Sequence, residues 1–343
     1  MFEIIRSESY AETMARTVEP FLAARRTELR LDPRGGDPRG GGSRGGGSRG
    51  GVPRGGGPLG GTLYCARYDA SDAVGTVVIC HGFTETAEKY YEVIYYLLTG
   101  GYHVYVPEHC GHGHSYRLVE DLSLVHIDRY ERYVEDFLAA ADAAKQAHPE
   151  LPLLLYAHSM GGGIGAAALA TQPTLFARAV LTSPMIQPLT GGFPWPAAKA
   201  LAALIAAVGM TKRYAPGHHA YDGNEPFESS ASTGRTRFDY YQRKRSREPL
   251  YQMNGASCGW VHEAARLNRF LMTDAPKRIQ TPILLFQSEH DYFVSNEAQE
   301  RFVRRIPSAR LCRIPAAKHE IFNARDEIVQ DYWPQVFRFF AED

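Results

Sequence analysis

The run Leu154-Leu155-Tyr156-Ala157-His158-Ser159-Met160-Gly161-Gly162 sets one serine between an apolar stretch and a Gly/Ala-rich one, with small residues two positions to either side. That spacing suits a sharp strand-to-helix turn, which lifts the hydroxyl clear and needs small neighbours so that the two elements can approach. A serine hydroxyl is a weak nucleophile and attacks a carbonyl only when a base takes its proton and a carboxylate orients that base. A Gly/Ala-x-Ser-x-Gly pattern arises by chance roughly 0.2 to 0.3 times in a chain this long. Its position between a strand and a helix therefore carries more weight than the pattern, all the more because Ala157 stands where glycine is usual.

The base and the acid follow in the required order, each just past a later strand. Asp291 follows the apolar run 282–287, and His319 follows the run 310–314. Glu289 is an alternative acid, and Asp274 a weaker one because it precedes its strand. The oxyanion of an acyl-transfer intermediate needs two backbone N–H donors, worth about 3 kcal/mol each. Met160, next to the nucleophile, offers one; Phe83, in the loop His81-Gly82-Phe83 after the run 76–80, offers the other, with His81 read as a brace for that loop. The chemistry is transfer of an acyl group to Ser159 and then to water, which calls for no metal or organic cofactor.

Such side chains must be held by a sheet. Short apolar, β-rich runs occur at 62–68, 76–80, 102–107, 151–157, 178–183, 282–287 and 310–314, and helical spacing occurs at 87–98, 130–146, 162–170, 296–305 and 328–340. This alternation predicts an α/β fold with a mostly parallel, doubly wound sheet and a site at the carboxyl ends of its strands. From Pro184 to Pro282 the rhythm breaks: helical patterns at 197–210 and 261–272 flank a polar stretch at 217–234 and a basic, aromatic one at 235–247. The expected organisation is an N-terminal helix and first strand (1–32), a Gly/Arg loop (33–61), the first part of the core (62–184), a largely helical lid inserted between two late strands (185–275), and the rest of the core (276–343).

Composition narrows the partners. The 343 residues carry 38 Lys+Arg and 38 Asp+Glu, but residues 33–61 hold 15 of the 33 glycines, five arginines and one acid. The remaining body therefore has 33 bases and 37 acids, a net of −4, which argues against a nucleic-acid groove. The Gly/Arg segment has the composition of a flexible loop. Its register of Arg34, Arg39, Arg44, Arg49 and Arg54 is reminiscent of RNA-binding segments, yet it holds no aromatic residue to stack on a base and reads first as a tolerated expansion. Five scattered cysteines without a Cys-x-x-Cys pair read as reduced cytoplasmic thiols. No secretory pattern opens the chain, and the longest apolar stretch, 200–210, is short of the roughly 20 residues of a membrane span.

At this point His81-Gly82-Phe83, Val106 to Ser115, Ala157 to Gly162, Asp291 and His319-Glu320 together resemble the α/β-hydrolase branch of monoacylglycerol lipases and bacterial lysophospholipases. Residues 317–323 and Ala157 are most similar to the lysophospholipases, and the likeness spans roughly residues 62–341. It implies a serine ester hydrolase acting on a single-acyl lipid, cytoplasmic and at most peripheral to the inner face of the membrane. Glu108 and Cys110 depart from the family's Asp-x-x-Gly-His-Gly-x-Ser segment, which usually has aspartate and arginine there. An aminopeptidase or a small-ester esterase is the nearest alternative, and an RNA-associated protein with a vestigial hydrolase body a remote one. His109, His112 and His114 have ligand-like spacing but no matched partner and read as a structural loop. Trp260 reads as a buried lid residue or part of an acyl pocket. The basic run with Arg235 and Arg237 reads as a solvated helix face or, more sharply, as a contact for a phosphate head group.

Overall fold

The computed structural model describes residues 3–34 and 61–342. Apart from its ends, the Gly/Arg segment expected to be a flexible loop lies outside the described residues. Eight strands form one sheet: β1 (Arg26–Leu31), β2 (Leu63–Tyr68), β3 (Gly75–Cys80), β4 (Tyr102–Pro107), β5 (Leu153–His158), β6 (Arg178–Thr182), β7 (Ile283–Ser288) and β8 (Ala309–Ile314), in the order β1-β2-β4-β3-β5-β6-β7-β8. The six strands β3 to β8 run parallel, while β2 is antiparallel to both β1 and β4. β1 and β2 pair from Arg26 with Tyr68 to Leu31 with Leu63, so the Gly/Arg segment joins two strands of a hairpin.

Every residue of β3 and β5 is buried, as parallel strands covered on both faces must be. The two-residue period divides their side chains between two cores. Val78, Cys80, Leu155 and Ala157 meet α2 (Tyr130–Ala147) and α3 (Ser159–Thr171). Val77, Ile79, Leu154 and Tyr156 meet α1 (Tyr91–Thr99), the C-terminal helix α8 (Asp326–Phe340) and the N-terminal helical residues Met14 and Val18. From β3 the chain moves to β4 on one side and to β5 on the other. This reversal opens a crevice at the carboxyl ends of the strands.

The segment between β6 and β7 carries α4 (Trp195–Ala207), α5 (Arg235–Arg245) and α6 (Cys258–Thr273). α6 is not confined to the periphery: Leu267 and Leu271 are buried in the same core as Ile164 and Leu169 of α3. A two-residue parallel pairing of Leu124–Val125 with Gly255–Ala256 ties the segment to the loop after β4. After β7 come α7 (Asn296–Val303) and then β8.

Candidate active site

Ser159 is the first residue of α3, directly after β5, and its φ of 53° lies in the left-handed region that a residue with a Cβ rarely adopts. Two glycines allow the turn. A Cβ on Gly161 would stand 2.0 Å from the Cys80 carbonyl oxygen, and one on Gly162 would stand 2.5 Å from the Pro184 Cβ. The start of α3 thus packs directly on the ends of β3 and β6. The Ala157 methyl is accommodated because Gly165 faces it, where a Cβ would come within 3.2 Å.

Asp291 and His319 leave the ends of β7 and β8 and meet Ser159. His319 Nε2 lies 2.8 Å from Ser159 Oγ, and His319 Nδ1 lies 2.7 Å from Asp291 Oδ2. A carboxylate only accepts hydrogen bonds, so Nδ1 carries the proton and Nε2 presents its lone pair to the serine hydroxyl. Asp291 is fixed on every side: Ser288 Oγ donates to Oδ2 at 2.8 Å, and the amides of Phe293 and Val294 donate to Oδ1 at 2.9 and 3.0 Å. Burial alone would raise its pKa, but the charge and hydrogen bond of His319 outweigh burial and hold the carboxyl below its usual range. Glu289 is exposed and accepts from the Ala316 amide at 2.8 Å, which shapes the histidine's loop instead of orienting its ring. Asp274 pairs with Lys277 at the surface.

Phe83 and Met160 flank the nucleophile. Met160 lies in the first turn of α3, where an amide has no acceptor within its own helix. The Phe83 ring packs 4.6 Å from that of Trp260, and both line a cavity of about 880 Å³ that also contains Ser159 and His319. His81 braces its loop: Nε2 accepts from the His109 amide at 3.0 Å, and its ring lies 4.2 Å from the His109 ring. His112 joins the same buried cluster, and His114 pairs with Glu108 at 3.1 Å. Glu108 also accepts from the Ala87 amide at 3.0 Å and from the His114 amide at 2.6 Å, and so braces its loop.

Sequence reasoning missed a buried ion cluster beside the triad. Lys89 Nζ lies 2.8 Å from Glu85 Oε1 and 2.6 Å from Glu320 Oε1, and Glu85 Oε2 accepts from the Gly82 amide at 2.5 Å. Burial opposes the charge on Glu85, yet Lys89 holds that carboxyl well below its ordinary range. The cluster therefore ties the Phe83 loop to the loop of His319. The four-residue spacing of Glu85 and Lys89 is the one local signal, though Glu85 precedes the helical turn that carries Lys89; Glu320 is distant in sequence and gave no signal.

The basic run divides. Arg235 is exposed, bonds Asp239 at 3.0 Å and does not line the cavity. The head-group expectation for Arg237 is corrected: its side chain is fully buried, Nε bonds Glu92 Oε2 at 2.9 Å, Nη1 bonds Asp326 Oδ1 at 2.7 Å, and Nη2 bonds the Ile5 carbonyl at 2.8 Å. A guanidinium saturated in this way has no donors left for a ligand.

Residues 71–326 match the hydrolase family described as serine aminopeptidase, S33. The chain belongs to this family. Among its relatives, lysophospholipase L2 of Escherichia coli K12 is 30% identical over 76% of this chain and 78% of its own. Monoacylglycerol lipase of Mycolicibacterium smegmatis is 26% identical over 75% of this chain and 85% of its own. A soluble variant of monoglyceride lipase from Saccharomyces cerevisiae, solved with a substrate analog, superposes with a TM-score of 0.64 at 17% identity, over 81% of this chain and 92% of that one. The protein is an α/β-hydrolase, with the mostly parallel sheet and flanking helices of that fold.

Proposed function

We propose that this hydrolase removes the acyl chain from a single-acyl glycerolipid, a lysophospholipid or a monoacylglycerol, by a serine acyl-enzyme route. One observation carries the reading. The Ser159–His319–Asp291 relay, at 2.8 and 2.7 Å, opens into an 880 Å³ cavity whose α4 and α6 walls are apolar, through Leu201, Ile205, Val261 and Ala264. The side toward α5 is polar, through Tyr241, Gln242 and Arg245. One apolar limb beside one polar limb suits an amphiphile with a single chain. The chain's likeness to lysophospholipases and monoacylglycerol lipases supports the same substrate class.

In this reading Ser159 Oγ attacks the ester carbonyl as His319 Nε2 takes its proton, and the amides of Phe83 and Met160 hold the oxyanion. His319 then protonates the departing glycerol oxygen. Water, activated by the same ring, releases the fatty acid and restores Ser159. Asp291 keeps the imidazole in its tautomer throughout. His158, whose ring is 4.9 Å from that of His319, is held neutral by burial, with its pKa lowered to about 4, and adds no second cation beside the base.

Among the described residues no helix is long and apolar enough to cross a membrane. Yet Phe193, Leu204, Val208 and Met210, in and around α4, are 51–63% exposed beside the cavity. In this reading they meet the surface of a lipid aggregate from the cytoplasmic side, which accords with five free thiols. A panel of lysophosphatidyl lipids, monoacylglycerols, short p-nitrophenyl esters and proline-terminal amides tests the assignment. Single-acyl lipids are expected to give the highest kcat/KM, and Ser159→Ala to abolish turnover. Preference for an amide would overturn the substrate class, and an active Ser159→Ala variant the mechanism.

A further inference from the structure

Three side chains outside the catalytic machinery meet at the opposite edge of the sheet. Asp69 follows β2, His103 is the second residue of β4, and His148 caps the C-terminus of α2. Because β4 is parallel to β3 and β5, its first residues lie away from the carboxyl ends that carry Ser159. His103 Nδ1 stands 3.3 Å and His148 Nε2 stands 3.7 Å from the same Asp69 oxygen, Oδ1. All three donor atoms fall within 4.8 Å of one another. On a tetrahedral zinc ion, with bonds of about 2.0–2.1 Å, neighbouring donors sit about 3.3 Å apart. The His103–Asp69 separation matches that figure, and the His148–Asp69 separation exceeds it by about 0.4 Å.

The cluster is also built. The histidine side chains are only 12% and 15% exposed, and the Tyr105 ring stands edge-on to His148. The two imidazoles stack with centroids 3.9 Å apart and planes 16° from parallel, so one ring must turn out of the stack to bring both in-plane lone pairs onto one ion. His148 Nε2 is buried with no hydrogen-bond partner, a rare condition for a buried polar atom and one a metal bond removes. Two contacts compete with an ion. Arg67 Nε donates to Asp69 Oδ1 at 2.9 Å, and the Ala70 amide donates to His103 Nδ1 at 3.2 Å. Both confirm that these atoms present lone pairs, and both must be given up on binding.

We propose that Asp69, His103 and His148 form a zinc site, with water as fourth ligand, that clamps the end of α2 to strands β2 and β4. Two imidazoles and one carboxylate favour a borderline ion such as zinc over magnesium or calcium, which prefer all-oxygen shells. The test uses the full chain after chelator treatment, titrated calorimetrically with zinc chloride and then unfolded by heat. One equivalent of zinc is expected to bind and to raise Tm. His103→Gln, His148→Gln and Asp69→Asn should each weaken binding at least tenfold and remove the thermal shift. Their ester hydrolysis without metal should stay at the wild-type rate, which also verifies their fold. Arg67→Gln, which removes the competing cation, should tighten binding several-fold. Wild-type protein that binds no zinc, or zinc binding that persists in the His103→Gln/His148→Gln double variant, would overturn the site.

Discussion

Asp291 and Arg237 show two opposite ways in which a single side chain matters. Asp291 touches the reacting system only through His319 Nδ1, so its removal acts on the tautomer. Asp291→Asn is expected to keep the fold and lower kcat about ten-thousandfold, because an amide that donates to Nδ1 forces the proton onto Nε2. Stopped-flow or endpoint ester hydrolysis checks this, and a loss under tenfold would refute the orienting role. Arg237 is a matter of stability. Its loss strands Glu92, whose oxygens it binds along with the hydroxyls of Tyr10 and Tyr96, in a buried site. Arg237→Ala should cost about 3–5 kcal/mol in urea unfolding, against less than about 0.5 for exposed Arg235→Ala. The triad was legible because each member follows its own strand in a fixed order. Arg237 was not: a dense basic run reads as a solvated face, and what turns this one inward is Glu92, far away in sequence and announced by no local pattern.

At the scale of elements, α4 and the β1–β2 hairpin carry separable predictions. α4 turns Ala198 and Ala202 inward and leaves Leu204 63% exposed, with Val208 just beyond the helix end at 62%, so the helix cannot be satisfied by the core alone. Leu204→Glu with Val208→Glu should lower hydrolysis of single-acyl lipids in vesicles at least tenfold and leave a dissolved short-chain ester within twofold. Equal loss on both substrates would mean that the helix shapes the cavity and does not meet the lipid surface. The sequence pointed to a helix here from its Ala/Leu content, but which face stays open depends on where α6 packs. The hairpin needs no such context: Leu31 and Leu63 are register partners, so a short turn suffices to join them. Replacing residues 35–60 by a Gly-Ser tetrapeptide should leave kcat/KM and Tm unchanged. A fall in either would assign the repeat a part in this fold that its composition does not suggest.

Across the whole molecule, buried histidines tie stability to pH. His81, His109, His112, His126 and His158 are all buried, and burial lowers the pKa of each, to about 4 for His126 and His158. In the unfolded chain each would titrate near 6.5. Below that pH the unfolded state takes up protons that the folded state refuses, so stability falls as pH falls. The loss is about 1.4 kcal/mol per pH unit for each such group until its folded pKa is reached. The depressed carboxyls of Glu108, Asp291 and Asp326 act in the same direction but only lower on the scale, as pH drops below about 4.5. His114 runs the other way, since Glu108 raises its pKa, and offsets a fraction of the total. Five such groups act together, so the dependence is steeper than any one histidine would give. The urea midpoint should therefore begin to fall just under pH 6.5 and keep falling toward pH 5, before most carboxylates have titrated. A midpoint that stays level from pH 7 to pH 5 would show that these rings take up protons within the folded state and that burial does not hold them neutral.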